Sequence, residues 1–214
     1  MTIRVLIADD QAMVRSGLRM ILEDQDDLEV VAEAADGAEA VALARQHRPD
    51  VCLVDIRMPR LDGLEVTRVL AGPHVPDPLR VVVVTTFDTD EYVYGALRSG
   101  AVGFLLKDAG PALLVEAVRA ADAGDALVSP SVTVRLLRAF RAPSKITSPD
   151  RPLTDRELDV VRAVARGRTN REIAADLFIS LSTVKGHVSG IQTKLDVRNR
   201  VQIAAWAWEN QVVS

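Results

Sequence analysis

A single cysteine, Cys52, occurs in 214 residues, so no disulfide can close within the chain. That usage fits a reducing compartment. No basic-then-apolar segment opens the sequence, and no apolar run approaches the length of a membrane span. The expectation is a soluble, cytoplasmic protein with no membrane partner. Neither an internal repeat nor a low-complexity tract is present, which excludes repeat architectures. His47, His74 and His187 share no spacing with Cys52 that resembles a zinc site. Cys52 lies inside an apolar run and reads as a small core residue.

What is present is enough for two small domains, with 48% of residues apolar. The net charge of −4 hides an asymmetry. Residues 1–122 carry 12 basic and 21 acidic side chains, whereas 151–214 carry 10 and 7. The acidic front argues against nucleic-acid binding there, and the weakly basic tail permits it.

Along the chain, Ile3–Ala8, Leu28–Ala34, Val51–Asp55, Arg80–Thr85 and Val102–Leu106 read as strands, being apolar runs bounded by turn signals. Between them lie helical patterns. Met13, Leu18, Ile21 and Leu22 recur at helical spacing, and Asp36-Gly-Ala-Glu39 and Asp62-Gly-Leu-Glu65 are capping boxes. Asp88-Thr-Asp-Glu91 caps the next helix, and a last one runs from about Gly110 to Ala123. Five strand–helix units in strict alternation predict a parallel sheet covered on both faces. Leu127–Pro130 reads as a turn-like segment, Val132–Phe140 as a short helix, and Ala142–Pro149 as a linker. From Leu153 onward the pattern is all helix. Thr154-Asp-Arg-Glu157 and Thr169-Asn-Arg-Glu172 open two helices, a third spans about Leu181–Leu195, and a fourth about Asn199–Asn210. A short helix, a tight turn and a longer helix are the parts of a helix-turn-helix.

In a parallel sheet all strand ends of one polarity share an edge, where open α/β folds bind ligands. The ends of the first, third, fourth and fifth strands supply Asp9 and Asp10, Asp55, Thr85 and Lys107. Three carboxylates together require a neutralising cation, and hard oxygen ligands suit Mg²⁺. A carboxylate beside such an ion can attack phosphorus to give an acyl phosphate, with an ammonium and a hydroxyl holding the transferred oxygens.

Residues 1–122 resemble the receiver domain of bacterial two-component response regulators, through Ala8-Asp9-Asp10, Val54-Asp55-Ile-Arg-Met-Pro59, Asp62-Gly63, Val84-Thr85-Thr86 and Phe104-Leu-Leu-Lys107. The resemblance implies a flavodoxin-like, doubly wound fold on a five-stranded parallel sheet. It also implies that Asp55 accepts a phosphoryl group from a sensor histidine kinase. Asp10, Asp55 and the backbone carbonyl of Arg57 would bind Mg²⁺, with Asp9 assisting through water. Thr85 and Phe104 resemble the family's switch pair, in which the hydroxyl moves to the phosphoryl group and the ring turns inward. One departure is Asp108 after Lys107, where many receivers have proline after a cis bond. Arg57 and Phe87, each two residues past a site residue, would flank the path of attacking water.

Residues 152–212 resemble the LuxR-type helix-turn-helix that ends regulators of the NarL/FixJ subfamily, through Leu153-Thr-Asp-Arg-Glu157, Gly167, Asn170-Arg-Glu-Ile-Ala174 and Ser182-Thr-Val-Lys-Gly-His-Val188. Ile173, Ala174, Leu177, Val184, Val188 and Ile191 can form a small core. The resemblance implies that Lys185, Gly186 and Ser189 face bases in the major groove, and that His187 and Lys194 lie near phosphates. Arg198 and Arg200, flanking a helix start, suit a further phosphate contact. Of Trp206 and Trp208, one is expected in the core and the other at a dimer contact.

The reading is thus a receiver over 1–122, a linker over 123–150 and a DNA-binding domain over 151–214. Together they would make a phosphorylation-controlled regulator that binds promoter DNA as a homodimer. It is not an enzyme in the ordinary sense, although the receiver would catalyse its own phosphoryl uptake and slow dephosphorylation. A phospho-aspartyl hydrolase would need a second carboxylate where Arg57 stands. A nucleotide-binding module would need a Gly-rich loop after the first strand, and there is none. A receiver serving only as a dimerisation scaffold would not need the full acidic set.

Overall fold

The computed structural model describes residues 2–72, 74–87, 89–128, 152–197 and 199–213. The short helix expected at Val132–Phe140, the linker and Arg198 lie outside the described residues. The chain divides into two compact units. The first holds everything to Asp122 and the strand at Leu127–Val128; the second holds Ala123–Asp125 and the described residues from 152 onward.

The first unit alternates strand and helix: β1 (Ile3–Ala8), α1 (Ala12–Glu23), β2 (Leu28–Ala34), α2 (Gly37–His47), β3 (Val51–Val54), α3 (Gly63–Ala71), β4 (Arg80–Thr85), α4 (Asp90–Arg98), β5 (Gly103–Leu106) and α5 (Pro111–Ala123). The five strands are parallel and lie in the order β2-β1-β3-β4-β5. Side chains alternate between faces, as the two-residue strand period requires. Val5, Ile7, Leu53 and Val82 pack with Leu22 of α1 and Leu114, Val115 and Val118 of α5. Leu6, Ala8, Cys52 and Val54 pack on the other face with Ala40 and Val41 of α2 and Val66 and Leu70 of α3. Cys52 is wholly buried, and burial pushes its thiol up to about 12. The core role expected for it holds.

Three local expectations differ. Leu127–Val128 is not a turn but a sixth strand, β6, paired in parallel with Gly103–Phe104. Two residues are too short to show a period in sequence. Met13 shares the helical spacing of α1 yet is 87% exposed, because that helix wholly buries only Leu22. The N-cap of α4 is Thr89, with no side-chain cap bond; Asp88 lies outside the described residues.

The second unit holds α6 (Asp155–Ala165), α7 (Asn170–Asp176), α8 (Leu181–Leu195) and α9 (Arg200–Glu209). Both expected capping boxes form, Thr154 with Glu157 and Thr169 with Glu172. Val160, Val161, Val164, Ile173, Val184, Val188, Ile191, Ile203 and Ala207 make its core. Ala174 and Leu177 lie at the edge of that core, as does Trp206, while Trp208 is 49% exposed. The turn between α7 and α8 is made by Phe178 in the left-handed region at φ 54°, with Arg156 Nη2 donating to the Leu177 carbonyl at 2.6 Å.

Candidate functional site

The sheet brings the expected residues together by register. Ala8 pairs with Val54, so the residues that follow, Asp9 and Asp55, leave adjacent strands side by side. Strand order reverses between β1 and β3, with β2 on one side and β4 on the other, which is where such sheets bind ligands. The Asp55 N–H donates to the Ala8 carbonyl at 2.9 Å, and the Lys107 N–H to the Thr85 carbonyl at 2.8 Å. These backbone bonds carry the ladder one residue past each strand and fix the side chains at the edge.

Asp9 and Asp55 are buried and Asp10 is exposed. One carboxylate oxygen of each lies within 4.8 Å of the others. Lys107 Nζ bridges the pair, 2.5 Å from Asp9 Oδ2 and 3.2 Å from Asp55 Oδ2. Burial pushes the Asp55 carboxyl up from its ordinary range; Lys107 opposes this, Asp9 adds to it, and the Thr85 hydroxyl opposes it. For Lys107, burial works downward, but the two carboxylates outweigh it and the ammonium is held above its usual range. Asp55 Oδ1 is buried with no hydrogen-bond partner. A buried carboxylate oxygen without a partner is costly and marks a position shaped for a ligand.

The surrounding loops are held closely. Gly63 opens α3 directly behind Asp55: its N–H donates to the Ile56 carbonyl at 2.7 Å, and a Cβ there would sit 2.1 Å from the Asp55 carbonyl oxygen. Only glycine allows that approach. Asp36 caps α2 and pairs with Arg60 in the loop after β3. Thr85 is wholly buried, its Oγ1 accepting from the Phe87 N–H at 3.3 Å, and Phe104 is wholly buried as well. No cis peptide occurs among the described residues, Lys107–Asp108 included. A cavity of about 430 Å³ opens beside the acidic cluster, lined in part by Asp10, Arg57, Met58 and Tyr92.

Two residues of this neighbourhood escape sequence reasoning. Arg15 of α1 donates to the Asp9 carbonyl at 2.8 Å and lies 3.4 Å from Glu33, bracing the turn that carries both aspartates. Tyr92 of α4 hydrogen-bonds Arg57. The sole sequence signal for either is a polar residue near the start of a helix that follows a site strand.

In the second unit, Lys185, Gly186 and Ser189 are exposed on α8, and His187 is half-buried. A Cβ on Gly186 would meet nothing within 4 Å. Lys194 is placed differently from a free phosphate contact: its Nζ lies 2.6 Å from Glu157 Oε2, tying α8 to the capping box of α6. Arg200 likewise pairs with Asp125, which groups with this unit, and its Nη1 donates to Asn170 Oδ1 at 3.3 Å. Burial lowers the Arg200 guanidinium, and Asp125 and Glu172 only partly offset this.

Comparison with known proteins agrees with both units. Residues 5–119 match the response regulator receiver domain, and 151–207 match the luxR family of bacterial regulatory proteins. The chain is 41% identical over 212 residues to the transcriptional regulatory protein LiaR of Bacillus subtilis (strain 168), covering 99% of this chain and 100% of the relative. It is 37% identical over 215 residues to the oxygen regulatory protein NreC of Staphylococcus carnosus (strain TM300), covering 98% and 99%. Among solved structures, the response regulator ChrA of a heme-sensing two-component system aligns at TM-score 0.54 and 37% identity over 99% of both chains. A structure of two RcsB dimers bound to two parallel DNAs aligns at TM-score 0.58 and 26% identity over 98% and 99%. With a receiver match on the first unit, a luxR match on the second and relatives of the same length, the chain belongs to the NarL/FixJ-type two-component response regulators.

Proposed function

We propose that Asp55 is the phosphoacceptor through which this phosphorylation-dependent DNA-binding regulator is switched. The observation that carries the reading is the buried Asp55 carboxylate, held by Lys107 through Oδ2 and unpartnered at Oδ1. The donor is the phosphohistidine of a sensor histidine kinase. An Asp55 oxygen bonds to phosphorus as the phosphorus–nitrogen bond breaks, and the imidazole leaves with that electron pair. Lys107 neutralises charge on the transferring oxygens, and the Thr85 hydroxyl donates to one of them. The receiver thereby catalyses its own phosphoryl uptake and, with water as acceptor, its slow loss.

The donor set fits Mg²⁺: three carboxylates face one ammonium, and an oxygen of Asp55 lacks a partner. Asp10, Asp55 and the Arg57 carbonyl would hold the ion, with Asp9 assisting through water. What it supplies when bound is neutralisation of the carboxylates and of the incoming phosphoryl oxygens. Arg57 and Phe87 flank the approach of water to Asp55. Slower or faster decay of phospho-protein in Arg57→Ala and Phe87→Ala tests that role, and unchanged decay removes it.

The domains are taken as 1–122, 123–150 and 151–214. Occupation of Asp55 moves Thr85 and Phe104 and favours a homodimer on two promoter half-sites about one DNA turn apart. Lys185, Gly186 and Ser189 face the bases, and His187 lies near phosphate. Arg198 contacts a phosphate, and Lys194 and Arg200, which carry internal pairs here, brace α8 and α9. The test is DNA binding and solution mass with and without beryllofluoride plus Mg²⁺. Tighter binding and a doubled mass are expected for the wild type and not for Asp55→Asn. No change in either overturns the switch.

A further inference from the structure

The acidic cluster poses a problem for its own substrate. With the ion proposed above offsetting two of the three carboxylate charges and Lys107 the third, the cluster offers an incoming anionic phosphodonor no net attraction. Lys107 is mostly buried behind the carboxylates and already engaged by two of them. A further cation in the cavity wall would supply that attraction, and Arg57 lines the cavity with Asp10.

Arg57 is held by neutral groups. Its guanidinium carbon lies 4.3 Å from the centre of the Phe87 ring and 5.9 Å from that of Tyr92. Its Nη2 donates to the Tyr92 hydroxyl at 3.1 Å. The two rings pack at 6.0 Å and 59°. Among the described residues no carboxylate lies within ion-pair distance of it. A guanidinium carries five N–H donors, and the Tyr92 bond uses one. The stacked, tethered group is therefore held in place with N–H donors that the Tyr92 bond does not use, which suits capture of a phosphoryl anion. A freely rotating arginine would have to be ordered at each encounter.

We propose that Tyr92 is a positioning residue for phosphodonor capture, its hydroxyl holding the Arg57 guanidinium in the cavity that Asp10 lines, where it receives small phosphoryl anions. This rests on Asp55 being the acceptor. With an acyl phosphate as donor, the Asp55 oxygen bonds to phosphorus as the phosphorus–oxygen bond to the acyl group breaks, and a carboxylate leaves. Tyr92 touches none of these atoms; it acts through Arg57.

The experiment uses the full chain with Mg²⁺ and acetyl phosphate over a range of concentrations, reading phospho-protein by intact mass. Tyr92→Phe keeps the ring and removes the hydroxyl. Its half-saturating donor concentration should rise about three- to tenfold, the scale of one lost hydrogen bond, while the limiting rate stays within about twofold. Arg57→Gln should raise it at least as far. Adding Tyr92→Phe to Arg57→Gln should change nothing further, since the hydroxyl then has no guanidinium to hold. An unchanged half-saturation in Tyr92→Phe, a change only in phosphoryl decay, or effects that multiply in the double variant would each overturn the proposal. Phosphorylation of the wild type at Asp55 together with any of these leaves the acceptor reading standing. A wild type that takes no phosphoryl at Asp55 overturns both.

Discussion

At the scale of single residues, the proposed phosphoacceptor, Asp55, is costly to fold. Burial and, to a lesser degree, Asp9 raise its carboxyl above the ordinary range, so ionising it costs more in the folded receiver than in the unfolded chain. The sign follows: the cost is full above the folded pKa, and it fades as pH falls toward the unfolded value. Asp55→Asn, which is neutral at every pH, should raise the melting midpoint of the receiver at neutral pH without metal, by a few degrees in thermal unfolding. Mg²⁺ should raise the midpoint of the wild type and do so less in the variant. Gly186 makes a second residue-scale case. It sits inside a helix with open space around it, so Gly186→Ala should stabilise α8 by about 0.5–1 kcal/mol, read as a higher melting midpoint of the second unit. A loss of DNA affinity in that variant would belong to the surface the helix presents, not to folding.

At the scale of elements, an ion pair ties the recognition helix to the capping box of α6 beside its core contacts. Glu157 accepts from the Thr154 N–H and hydroxyl and from Lys194, at 2.7, 2.9 and 2.6 Å. Burial pushes its carboxyl up, but the bonds from Lys194 and Thr154 outweigh burial and hold it below the ordinary range. For an acid lowered in the folded state, the stabilisation is present above the unfolded pKa and is lost as pH falls through the folded one. Acidification below about pH 4.5 should therefore loosen the wild-type second unit. Glu157→Ala should cost about 2 kcal/mol at neutral pH and flatten that acid dependence, measured by urea unfolding.

The same helices mark what a sequence can and cannot disclose. The strands and the site at their ends were legible because an apolar run ending in Asp, Thr or Lys carries both its burial and its polarity in adjacent letters. Four capping positions were legible for the same reason, their partners lying three residues apart. Lys194 and Arg200 were not. Their partners stand 37 and 75 residues away, and charge alone does not tell an outward cation from an inward one. Met13 misled because helical spacing names a face without saying how much of it is covered. Arg15 reaches back only six residues to the Asp9 carbonyl, but a lone arginine early in a helix does not name its partner in sequence, and Tyr92 meets Arg57 only across the assembled sheet.

At the scale of the molecule, each unit has a core of its own, so damage to one should spare the chemistry of the other. Ile191 is wholly buried in the smaller core. Ile191→Ala should cost about 2–5 kcal/mol there and abolish DNA binding. Uptake of phosphoryl at Asp55 should remain at the wild-type level by intact mass. Retention of DNA binding, or loss of phosphorylation, would show the cores to be energetically one.

The inward turn of Lys194 and Arg200 also bears on how such a protein would search a genome. If these pairs persist on DNA, each phosphate they leave uncontacted removes one released counterion, and a lone DNA-binding unit would hold random sequence weakly and let go quickly. Little of the protein is then sequestered on the wrong DNA. In the proposed homodimer, residence at an operator would come from joining two weak readers, the second bound at the effective concentration set by the first. A phosphoryl group that controls pairing then controls dwell time, with no need to alter a single contact to a base.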